Sequence, residues 1–132
     1  MCLTLDSVIG SVQTVEDTAE SFAREAGFDE DTASNISMVA GEAAANAVLH
    51  GNKKDPAKHV TATFELTEEA LRISVADEGP GMDPGTIPDP LAPENVLRSS
   101  GRGVFLMRAL MDEVHFRQLT PGTEITLVKR RG

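Results

Sequence analysis

Residues 41–52 read GEAAANAVLHGN. This alanine-rich run predicts a buried helix that stops at His50, Gly51 and Asn52. Upstream, Ile36, Val39, Ala40, Ala43, Ala47 and Val48 form its core stripe, and Asp29 or Asp31 can cap its start. At about 100° per residue, Asn35, Glu42 and Asn46 fall within roughly 40° of one another beside that stripe. Two readings of Glu42 and Asn46 are open on spacing alone. They are either a half-exposed polar pair on an amphipathic helix, or a site in which the alanines leave room for a ligand, the carboxylate acts as a base and the amide oxygen ligates a hard cation.

Outward from this helix the chain alternates cleanly. Residues 3–9, LTLDSVI, predict a short strand, and Val12, Val15, Ala19, Phe22, Ala23 and Ala26 follow helical spacing until Gly27. HVTATFEL and ALRISVAD, joined by TEE, predict an antiparallel hairpin with Leu71, Ile73 and Val75 on one face. Residues 78–100 hold five of the seven prolines and little periodicity, which makes them a long loop of the functional or mobile kind. GRGVFLMRALMDEV restores a helix from Gly101 or Gly103, and VHFRQL and TEITLVKR flank the turn TPG in a second hairpin. The order strand, helix, helix, strand, strand, loop, helix, strand, strand predicts an α/β two-layer sandwich. Helices would lie on one face of a mixed, mostly antiparallel sheet.

Composition bounds the function. At 132 residues the chain is most simply a single domain, 1–132, able to bury about two thirds of its unfolded surface. A net charge of −9 argues against direct nucleic-acid binding, which needs a basic face, so any phosphate ligand must be held locally. The lone Cys2 excludes an internal disulfide and fits a reducing, cytoplasmic setting. No run approaches the roughly 18 apolar residues of a membrane span. His50, His59 and His115 are too scattered to predict a metal cluster or relay.

Two further stretches can carry chemistry. VADEGPGMDP places Asp77 at the end of a buried strand before Gly79 and Gly81. This is a tight turn with a solvated aspartate, or a carboxylate that accepts from an exocyclic amine such as that of adenine while the glycines admit a flat ring. SSGRGVFL sets Gly101 and Gly103 at a helix start, where free amides favour an anion. Arg102 between them is either a surface arginine or a phosphate contact.

Taken in order, Glu42 and Asn46, then Asp77, Gly79 and Gly81, then the loop, then Gly101 and Gly103, the chain resembles the GHKL ATP-binding superfamily along almost its full length. GEAAANAVLHGN and GRGVFLMRALMDEV are similar to the anti-sigma-factor serine kinases of the RsbW and SpoIIAB type. The resemblance implies the Bergerat fold, with ATP and Mg²⁺ as cofactors. Glu42 would orient or deprotonate the attacking hydroxyl, and Asn46 would bind the Mg²⁺ that bridges the phosphates. Asp77 would read the adenine amine in a pocket shaped by Gly79 and Gly81. Gly101 and Gly103 would present amides to the phosphates, residues 82–100 would close as a lid, and Thr123 would match the family's strand threonine near adenine. The resemblance leaves open which of Arg98 and Arg102, if either, meets the γ-phosphate. The partners implied are an anti-anti-sigma protein of the STAS type, phosphorylated on serine, a sigma factor or analogous target, and a second copy of the chain, paired through the first strand. A non-catalytic module gated by ATP, or a plain ATP hydrolase, would use the same pocket.

Overall fold

A computed structural model describes residues 1–48, 58–78, 101–119 and 122–131. Its elements are β1 (Cys2–Asp6), α1 (Ile9–Glu25), α2 (Glu30–Asn46), β2 (His59–Leu66), β3 (Ala70–Ala76), α3 (Gly101–Leu110), β4 (Glu113–Gln118) and β5 (Thr123–Arg130). The element order is the expected one. Among the described residues the strands form one five-stranded sheet in the order β1-β2-β3-β5-β4, and each of its pairings is antiparallel where a mixed, mostly antiparallel sheet is expected.

The register explains which face the helices cover. Leu3, Ala62, Val75, Ile125 and Phe116 lie in one row across all five strands, and Phe64, Ile73, Leu127 and Val114 lie in another. Side chains alternate along a strand, so both rows share the face that packs on α1 and α2. The intervening row, Thr63, Ser74, Thr126 and His115, is polar and points the other way, with Ser74 and Thr126 hydroxyls 3.1 Å apart. Phe22 of α1 stacks on Phe64 with ring centroids 5.4 Å apart, joining the two layers. Among the described residues no helix is long and apolar enough to cross a membrane.

Small side chains set the helix layer. Ala19 and Ala23 of α1 and Ala33, Ala40, Ala43 and Ala44 of α2 are buried, and Gly41 comes so near α1 that a Cβ there would lie 2.6 Å from Cγ of Glu16. The Ser37 hydroxyl donates to the Glu16 carbonyl at 3.0 Å across the same contact. Most alanines of the opening stretch therefore belong to the core; Ala45 alone among residues 43–45 is half-exposed beside Glu42 and Asn46. The expected ligand floor is first of all a packing device that lets two helices approach closely.

The helix ends follow local rules with one exception. Gly27, at φ 88°, ends α1, and the Asp29 carboxylate accepts from the Thr32 N–H at 2.7 Å to cap α2. The α1 start lacks a side-chain cap at Val8, and the strand expected through Ile9 ends instead at Asp6. There the Ser11 hydroxyl donates to the Asp6 carbonyl at 2.6 Å and fixes the corner. Hydrogen bonds from the Thr32 side chain and then its backbone hold the Asp29 carboxyl below the ordinary aspartate range. A carboxyl depressed in the folded state contributes stability above its unfolded pKa and loses it as pH falls through the folded value. Asp29→Ala should therefore lower the melting temperature at neutral pH, and the gap from the parent should close as melts are repeated at pH values below the carboxylate range.

Candidate functional site

The sheet edge where β3 ends and β5 begins is built around one aspartate. Asp77 follows the last residue of β3 and is buried. Its N–H donates to the Thr123 carbonyl at 3.0 Å, and its Oδ1 accepts from the Thr123 N–H at 3.1 Å. The ladder between β3 and β5 thus continues one step beyond the strand, with a carboxylate standing in for a backbone acceptor. The adjoining Gly122 makes this possible. At φ 107° it occupies backbone space that disfavours L side chains, and a Cβ there would fall 2.0 Å from the Asp77 carbonyl oxygen. Thr123 is half-buried beside it, so Asp77 and Thr123, expected at one site, are brought together.

Glu42 and Asn46 lie on the last regular turns of α2, four residues apart and both half-buried, so their side chains share one helix face. The helical path continues through Ala47 and Val48 as a wider turn, with the Ala47 N–H shared between the Ala43 and Ala44 carbonyls. α2 packs against β3, β5 and α3, the elements that carry the other expected site residues. α3 begins at Gly101, so Gly101, Arg102 and Gly103 form its first turn, where backbone N–H groups lack helical partners and the dipole favours negative charge. Met107 of α3 is fully buried and Met111, just beyond it, nearly so; together they anchor that helix in the core. Gly79, Gly81, Arg98, the 82–100 segment and His50-Gly51-Asn52 lie outside the described residues.

Sequence reasoning missed two contributors. Gly122 was legible only as part of the turn TPG, and its contact with Asp77 depends on pairing across 46 residues. His59 was set aside as one of three scattered histidines, yet it stands beside Glu78, next to Asp77.

A two-layer domain that carries a carboxylate and an amide on one helix face, an aspartate fixed at a strand end and two glycines in the first turn of a third helix has the parts of an ATP-binding module. The chain belongs to the family of histidine kinase-like ATPase domains, whose model matches residues 6–129. Similar curated proteins include the serine-protein kinase RsbW of Bacillus licheniformis, 33% identical over 121 residues, covering 85% of this chain and 73% of that protein. RsbW of Bacillus subtilis (strain 168) is 31% identical over 118 residues with the same coverages. Among solved structures, the RsbU and RsbW domains of Rv1364c from Mycobacterium tuberculosis superpose with a TM-score of 0.71 at 24% identity, over 98% of this chain and 32% of that one. The catalytic domain of histidine kinase ThkA superposes with a TM-score of 0.63 at 14% identity, over 99% and 96%. At those identities the structures speak for the fold alone.

Proposed function

We propose that this chain is a Mg-ATP-dependent protein-serine kinase of the partner-switching type. It phosphorylates a small STAS-type anti-anti-sigma protein on serine, and otherwise sequesters a sigma factor or an analogous target. The observation that carries this reading is the 33% identity to a serine-protein kinase RsbW across 85% of the chain, on a fold that keeps Glu42 and Asn46 on one helix face. β1 is an edge of the described sheet, the position that pairing of two copies through that strand would require.

Phosphoryl transfer is mostly positioning and charge stabilisation, and the residues present suit those tasks. Asp77, held by Thr123, offers a fixed acceptor for the adenine amine, and Gly122 adds no Cβ of its own against that carboxylate. The first amides of α3 would offer hydrogen bonds to the phosphates. Asn46 supplies a hard oxygen, and a bound Mg²⁺ would neutralise charge on the phosphates. Mg²⁺ is ordinarily held through one or two protein oxygens together with substrate phosphates and water, so a single amide oxygen on α2 suits it. Glu42, one turn from Asn46, takes the proton of the acceptor serine as its Oγ bonds to the γ-phosphorus, the bond to the bridging oxygen breaks, and ADP leaves.

The test is incubation of the purified chain with γ-labelled ATP, Mg²⁺ and STAS-type candidates. Label on an acceptor serine is the expected result. Tight ATP binding with no transfer to any acceptor would replace the kinase by an ATP-gated binding module, and brisk phosphate release without an acceptor would replace it by a hydrolase.

A further inference from the structure

At the edge that carries Asp77, three polar side chains from three strand ends meet. His59 opens β2, Asp6 closes β1 directly opposite it in register, and Glu78 is the residue after Asp77. The His59 backbone N–H donates to Oε1 of Glu78, and its ring Nδ1 lies 3.1 Å from the same oxygen. On the other edge of the ring, Nε2 lies 4.0 Å from Oδ1 of Asp6. The two ring nitrogens face different carboxylates, so the imidazole bridges them and does not gather them around one ion.

His59 and Glu78 are 47% and 51% exposed, and a pair so open to water adds little to global stability. Its placement is more telling than its strength. Asp77 is held from the β5 side by two hydrogen bonds with Thr123, while Glu78 is held from the β2 side by two contacts with His59. The Asp77–Glu78 peptide is therefore pinned on both flanks where the chain leaves the sheet.

We propose that His59 is a positioning residue for nucleotide recognition. Through Glu78 it fixes the peptide that follows Asp77, and so the direction in which the Asp77 carboxylate is presented. The proposal rests on Asp77 being the adenine contact. When the ring contact of this tether is lost, that peptide is held by one bond fewer, and the loss falls on binding the base, not on the transfer step assigned to Glu42 of α2.

Calorimetric titration of the full chain with Mg-ATP, paired with transfer kinetics, tests it. His59→Ala should weaken binding and raise the KM for ATP about three- to tenfold, in proportion to one lost charge-assisted hydrogen bond at a half-exposed site. kcat at saturating ATP should stay within about twofold. His59→Asn, whose amide can occupy the place of Nδ1–H, should recover most of the affinity. Glu78→Ala should match or exceed the His59→Ala loss, and the double variant should be no worse than Glu78→Ala alone. Melts without nucleotide identify any variant that fails to fold, in which case the asparagine and Glu78→Gln variants give the readout. Parent-like affinity in folded His59→Ala, no rescue by asparagine, or additive losses would overturn the proposal. Asp77→Asn, run alongside, separates the two levels. If it binds Mg-ATP as the parent does, the adenine contact itself is wrong; if it loses binding while His59→Ala does not, only the tether is.

Discussion

Glu42→Gln should bind Mg-ATP with parent affinity and transfer phosphate to its acceptor about 10²–10⁴-fold more slowly, the range lost with a positioned general base. The substitution keeps the size of the side chain and its place on the half-buried face of α2, so the fold is not put at risk. Asn46, one turn away, still offers its oxygen, and the Asp77–Thr123 pair lies on other elements. Titration and single-turnover transfer on the same preparation separate the two steps. Transfer at the parent rate would remove Glu42 from the chemistry and leave it as a polar residue at the rim of the core.

Gly122→Ala should be the most damaging single methyl group in the described chain. The residue sits at φ 107°, and the new Cβ would lie 2.0 Å from the Asp77 carbonyl oxygen and 2.9 Å from its carbon. Backbone cannot step aside as a flexible side chain can, so β5 must move away from β3 at the point where Asp77 and Thr123 exchange hydrogen bonds. Conformational strain of about 1–2 kcal/mol adds to overpacking of about 1–3 kcal/mol. Against a total stability of about 5–15 kcal/mol, that sum should lower the melting temperature by about 10 °C or more and abolish Mg-ATP binding in whatever stays folded. Gly27→Ala is the internal control. It shares a positive φ of 88°, but a Cβ there meets nothing within 4 Å, so only the conformational part of the loss should appear. Equal melting temperatures for the two variants would show that β5 yields easily and that Gly122 is not a spacer for Asp77.

The parts of this molecule that were legible in its sequence are those governed by local rules. Period-2 runs gave β2, β3 and β5 to within a residue, and the stripe from Ile36 to Val48 marked the buried face of α2 because burial and helical spacing coincide there. The start of α1 was less legible: alternation runs on through Ser7 and Ile9, Val8 has no capping side chain, and the turn is closed by Ser11 reaching back to a carbonyl. Of the site, Glu42 and Asn46 could be paired from spacing, and Asp77 from its place at a strand end. What spacing could not provide was register. That Gly122 rests on Asp77, or that His59 meets Glu78, follows only once β3 is set against β5 on one side and β2 on the other.

β5 lies between β3 and β4 in the sheet, with residue 70 opposite residue 130. During synthesis, then, the flank of β3 stays open until β5 has been made, exposing an unpaired ladder beside Leu71, Ile73 and Val75. A polypeptide that stops short of β5 cannot assemble the carboxylate–threonine pair, because Thr123 opens that strand. Until β5 is in place the same open flank invites aggregation.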